Sequence, residues 1–153
     1  MRAVVYEAAN AFTVFLFEGA PPPPPPGKAP NLLRWILDPK ALRSRISNWG
    51  EVARYLVSTT YAEILADGGE PKALAFIEEI MAYPGLPTEW RLPRKESPPV
   101  MTMQLAKGDF RLAFFSTFTT LAMPTDAALQ KLKIECFYPA DDATARIARE
   151  LSL

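Results

Sequence analysis

A chain of 153 residues suits one domain, long enough to bury roughly two thirds of its unfolded surface. Seventeen basic residues balance seventeen acidic ones, so no overall positive field draws it to nucleic acid, and direct nucleic-acid binding is not expected. The 49% apolar content argues against disorder, and the absence of histidine excludes Ser-His-Asp and Cys-His catalysis and the usual imidazole coordination of zinc.

Ala3-Val4-Val5-Tyr6 reads as a short strand, followed by a helix capped at Asn10 with Phe12, Phe15 and Leu16 on one face. The apolar run from Ala11 to Phe17 is much shorter than the ~20 residues that span a bilayer, and it lacks a basic leader beyond Arg2. Membrane insertion is therefore not expected. Six prolines, Pro21 to Pro26, form an extended rod, read here as a stiff surface loop.

Pro30-Asn31 opens the next helix, which carries Leu32, Leu33, Trp35 and Ile36 and ends at Asp38-Pro39. Asn48 is the expected cap of a longer helix whose pairs Val52/Ala53, Leu56/Val57, Thr60/Tyr61 and Ile64/Leu65 repeat every four residues. Gly68-Gly69 ends that helix, and Pro71 starts another, lined by Leu74, Ile77, Ile80 and Met81. A further turn is expected between Pro87 and Trp90.

Beyond Pro98-Pro99 the period changes to two. Met101, Met103 and Leu105 alternate with Thr102 and Gln104, and Lys107-Gly108-Asp109 makes a tight hairpin. In the returning strand Phe110, Leu112, Phe114, Ser116 and Phe118 share a face. A third strand has Leu132, Ile134 and Cys136 on its dry side and Lys131, Lys133 and Glu135 on its wet side. Asp141 or Asp142 caps a closing helix that docks through Ile147 and Leu151. The expected fold class is α+β, an antiparallel sheet with helices packed on one face, in a single domain spanning 1–153. The lone Cys136 forms no internal disulfide, which fits a reducing, cytoplasmic setting.

Asn31-Leu32-Leu33-Arg34-Trp35-Ile36-Leu37-Asp38-Pro39, then Trp49-Gly50-Glu51-Val52-Ala53-Arg54, resembles the start of the MmyB-like transcription regulator ligand-binding domain. Phe114-Phe115-Ser116-Thr117-Phe118-Thr119-Thr120 and the stretch ending Phe137-Tyr138-Pro139-Ala140-Asp141-Asp142 resemble its C-terminal part. The likeness extends from about Asn10 to about Thr144. It implies a PAS-like sensory domain of an XRE-type helix-turn-helix regulator, with an apolar cavity between sheet and helices for a fatty-acid-like molecule. Two departures stand out: a helix-turn-helix is missing, and the proline run sits where the family has a short loop.

The resemblance brings no catalytic residues and no metal, and the protein is not expected to be an enzyme. No cofactor is expected apart from a bound fatty acid. The pocket candidates come from the apolar pattern: Phe12, Phe15, Leu16, Leu33, Ile36, Leu56, Tyr61, Phe114, Phe118, Ile134 and Cys136, all expected to point inward. Ordinary core packing is the simpler account of each residue taken singly. Arg54, Arg111, Ser116 and Thr119 are candidates for a carboxylate head group, with Arg54 first. The alternative reading is an interaction module that homodimerises or pairs with a DNA-binding homologue, using a sheet edge left open by a missing strand.

Overall fold

The computed structural model describes residues 31–92, 100–120 and 133–151. Phe12, Phe15, Leu16 and the proline run lie outside them. Asn31 is extended, with φ −140° and ψ 118°, and its Oδ1 accepts the Arg34 N–H at 3.2 Å, which caps α1 (Leu32–Leu37) as the sequence predicts. This short helix buries Trp35, Ile36 and Leu37. A 3₁₀ turn (Arg43–Arg45) leads to α2 (Trp49–Ala66).

The end of α2 follows from two glycines. Gly68 and Gly69 take φ of +89° and +70°, values that cost other residues steric strain. There the Gly69 N–H reaches the Ile64 carbonyl at 2.8 Å and the Gly68 N–H the Leu65 carbonyl at 3.1 Å, the paired closure of a Schellman motif. Helix α3 (Pro71–Met81) then starts on proline, whose missing N–H costs nothing in a first turn, and a 3₁₀ turn follows at Thr88–Arg91.

Strands β1 (Thr102–Lys107), β2 (Phe110–Thr120) and β3 (Lys133–Pro139) form an antiparallel sheet in the order β1-β2-β3. Lys107 pairs with Phe110 across a two-residue loop, where Gly108 supplies the φ of +55° needed by a primed hairpin turn. The closing helix α4 (Asp142–Leu151) is capped by Asp141, whose Oδ1 accepts the Thr144 N–H at 2.7 Å.

Leu105, Leu112 and Phe114 join Trp35, Ile36, Leu37, Val52, Val57, Phe76 and Ile80 in one buried cluster, and Met103, Ile147 and Ala148 pack against it. All the sheet residues in this set project from one face, so the helices cover that face, as expected for the α+β class. Complete burial of side chains such as Leu37 and Ile80 contributes about 1.5–3 kcal/mol each. The apolar stripe of α2 is only half used. Val52, Ala53, Val57 and Ser58 are buried, whereas Leu65 near the far end is 53% exposed.

Candidate functional site

Register decides which strand residues can meet. Residues directly opposite one another in a ladder project to the same face. Phe114 pairs with Met103 and Pro139, Ser116 with Phe137, and Phe118 with Glu135, which places all of these on the helix-covered face. Thr117 pairs with Cys136, Phe115 with Tyr138, and Thr119 with Ile134, so these positions belong to the outer face.

The expectation that Phe114, Phe118, Ile134 and Cys136 form one inward set is therefore corrected. Phe114 and Phe118 are on the helix side, whereas the β3 positions Ile134 and Cys136 are on the other. Alternation separates the two parities of β3 correctly but does not say which one faces the helices, and both carry apolar residues. The residue that β3 contributes beside Ser116 is Phe137, which the pattern passed over because only the ladder reveals its partner.

Along the helix-side face, burial falls off towards the β3-paired end of β2. Phe114 is 5% exposed, whereas Phe118 is 42% and Phe137 43% exposed. Ser116, partly buried, lies opposite Phe137, and Glu135, also partly buried, lies opposite Phe118. Among the other candidates, Ile36 is buried, and Leu33 and Leu56 are partly buried against the same core as Phe114. Tyr61 is partly buried. The charged candidates do not converge with this strip. Arg54 is exposed on α2. Arg111, exposed on the outer face, donates to the carbonyls of Gly108 at 2.6 Å and Phe110 at 2.9 Å. Thr119 is exposed on that same outer face.

Two side chains complete the sheet's hydrogen bonding. Where β3 turns away, the Ala113 carbonyl accepts the Ala140 N–H at 2.7 Å, and the Ala113 N–H is taken by Thr144 Oγ1 at 2.9 Å. Thr144 is fully buried. At the outer edge of β1, Asn48 acts as a substitute peptide: Nδ2 donates to the Thr102 carbonyl at 2.8 Å, and Oδ1 accepts the Gln104 N–H at 2.9 Å. The expected capping bond from Asn48 to α2 is not made. The Ser47 N–H fills the Gln104 carbonyl at 2.8 Å, and Ile46 bridges to Leu105. Segment Ile46–Asn48 thus occupies this edge, and strand addition there would have to displace it.

Next in the chain, Trp49 donates its indole N–H to the Ile36 carbonyl at 2.9 Å and packs on Trp90 with ring centroids 5.9 Å apart. The Arg43 guanidinium lies 3.6 Å over the Trp49 ring. Helices α1 and α3 are clasped by Arg34, which meets Glu79 through two 2.9 Å contacts and lies 4.7 Å over the Phe76 ring. Close by, the Tyr83 hydroxyl is pushed above its ordinary pKa by burial and then by the carboxylates of Asp38 and Glu79, with Arg34 opposing. Asp141 is held below the ordinary carboxylate range, first by the Thr144 N–H that it accepts. Among the described residues no group of three or more acidic or cysteine side chains is arranged to hold a metal, and no helix is long and apolar enough to cross a membrane.

A sheet with helices on one face, an apolar strip on that face and no converging reactive groups among the described residues has the form of a domain that holds a ligand. The family comparison agrees: the model of the MmyB-like transcription regulator ligand binding domain matches residues 4–151, and the chain belongs to that family. No curated protein and no solved structure matches the chain.

Proposed function

We propose that this member of the family senses a fatty-acid-like or other apolar molecule, held between the helices and the helix-side face of the sheet, and that its occupancy regulates transcription. The observation that carries this reading is the continuation of the core face beyond Phe114 into Phe118 and Phe137, two large apolar rings more than two fifths exposed. Extending contact to those rings would remove apolar surface from water, at about 25 cal/mol per Å². Two polar groups share this face, Ser116 opposite Phe137 and Glu135 opposite Phe118, and the neutral Ser116 hydroxyl is the candidate contact for a carboxylate head group. Phe12, Phe15 and Leu16 remain candidates for the rest of the lining.

The test is organic extraction of purified protein followed by mass spectrometry, together with titration by a saturated fatty acid. Recovered acyl chains, and loss of binding in Phe118→Ser and Phe137→Ser, are the expected results. Repeated extractions without lipid, and no saturable binding, would refute the reading.

A second reading, self-association or pairing with a DNA-binding homologue, is favoured by a separate observation on the outer face. Phe115 and Tyr138 stack there with centroids 5.5 Å apart, and Tyr138 is 45% exposed. Tyr138→Arg is expected to dissociate such a dimer in light scattering and to leave lipid content unchanged. A wild-type monomer with no helix-turn-helix partner in pull-downs would refute this reading alone.

A further inference from the structure

Pro39, Arg43, Ser44, Ile46 and Trp49 line a solvent-open recess of about 390 Å³. One wall carries the partly buried Arg43, with its guanidinium against the Trp49 ring. Arg43 Nη1 donates to the Pro84 carbonyl, and a Cβ at Gly85 would come within 2.8 Å of Nη2, so the glycine leaves room for the guanidinium.

The group is held in place, but its charge is not matched. Among the described residues no carboxylate pairs with Arg43, and the exposed Ser44 hydroxyl has no hydrogen-bond partner. A guanidinium has five N–H donors in a rigid fork, and its preferred acceptor is a carboxylate. With Nη1 given to the Pro84 carbonyl and Nη2 lying beside Gly85, the Nε side of the guanidinium is the one left to meet an acceptor. Pro39, Ile46 and Trp49 supply apolar surface beside it.

We propose that this recess is a second binding site, for a small organic acid. The carboxylate pairs with Arg43 and accepts from the Ser44 hydroxyl, and a compact apolar or aromatic body rests on Pro39 and Trp49. The site is separate from the strip along Phe118 and Phe137 and does not depend on what occupies that strip.

The test is a nuclear magnetic resonance titration of the whole chain with benzoate and 2-naphthoate, following the Trp49 indole N–H and the Arg43 Nε–H. Benzamide and sodium chloride are the controls. Saturable shifts at both groups are expected, with 2-naphthoate binding tighter than benzoate and benzamide at least about tenfold weaker. Arg43→Gln should weaken the acids roughly 10- to 100-fold, with Arg43→Lys in between, and the copurified lipid should not change. Should Arg43→Gln fail to fold, Ser44→Ala at an exposed position decides, with a loss of about two- to tenfold. Equal binding of benzamide, unchanged affinity in the Arg43 and Ser44 variants, or the same shifts from chloride alone would overturn the proposal. So would capture of an acidic peptide under conditions where the free acids do not bind.

Discussion

Substitution of Asn48 separates two roles that a single asparagine can play. If it only capped α2, Asn48→Asp would be nearly neutral, because aspartate and asparagine are equally good at that position. The structure instead gives its amide two jobs on β1, donating to the Thr102 carbonyl and accepting the Gln104 N–H. Aspartate keeps the acceptor but sets a carboxylate oxygen against the Thr102 carbonyl. The bond to Thr102, worth about 0.5–1.5 kcal/mol, is lost together with the longer, exposed one from Nδ2 to Glu51 Oε2 at 3.3 Å, and repulsion from both acceptors is added, so a cost of about 1–2 kcal/mol is expected. Asn48→Ala loses both bonds to β1 and the exposed one to Glu51, but Gln104 is exposed and water replaces part of the loss, which again gives about 1–2 kcal/mol. For a chain of this size each kcal/mol lowers the melting temperature by about 2–4 °C. Calorimetry, with urea unfolding as a check, reads the difference directly. An Asn48→Asp protein as stable as the parent, with only Asn48→Ala destabilised, would refute the edge-closing role and restore the simple cap.

Thr144→Val should cost about 1–3 kcal/mol in urea unfolding because it orphans the Ala113 N–H, whereas Thr144→Ser, which retains the acceptor, should cost less. The reverse order would show that the methyl group, and not the hydroxyl, matters there. Asp141 has a depressed pKa in the fold, so its contribution is present above the unfolded value of about 4 and is lost as pH falls through the folded one. Asp141→Asn should therefore flatten the acid limb of the urea midpoint below about pH 4, and an unchanged limb would remove the carboxylate from that role. Arg34→Lys should lower stability by about 0.5–1.5 kcal/mol, since lysine cannot make the two-pronged contact with Glu79 while stacking on Phe76. A Glu79→Gln/Arg34→Lys double mutant cycle showing no coupling would refute that account.

Local chemistry was legible wherever one residue type serves one backbone need. Asn31 before an apolar run, the Gly68-Gly69 pair, Pro71 and Gly108 each mark an element boundary, because a cap, a positive φ or a missing N–H acts within a few residues. The switch of period from 3.6 to two located the sheet for the same reason, and the family words could be read as strings. The candidate site was less legible. Leu33, Ile36, Leu56 and Phe114 are expected to point inward as pocket lining; the structure places Ile36 and Phe114 in the buried core and packs Leu33 and Leu56 against it.

Tertiary structure alone decided the rest. Alternation divides β3 into two faces, but only its pairing with β2 shows that Phe137, not Cys136, shares a face with Phe118. The amide of Asn48 has equal claims on its own helix and on a strand 54–56 residues away, and proximity settles the matter in favour of β1. Arg43 and Trp49 are six positions apart in a segment with no regular period, so their stacking follows from packing and not from any pattern. The sequence determined where helices and strands begin and end, because those choices are made by forces that act along the chain. Which faces and side chains meet depends on contacts between distant segments, whose energies exist only once the chain has folded.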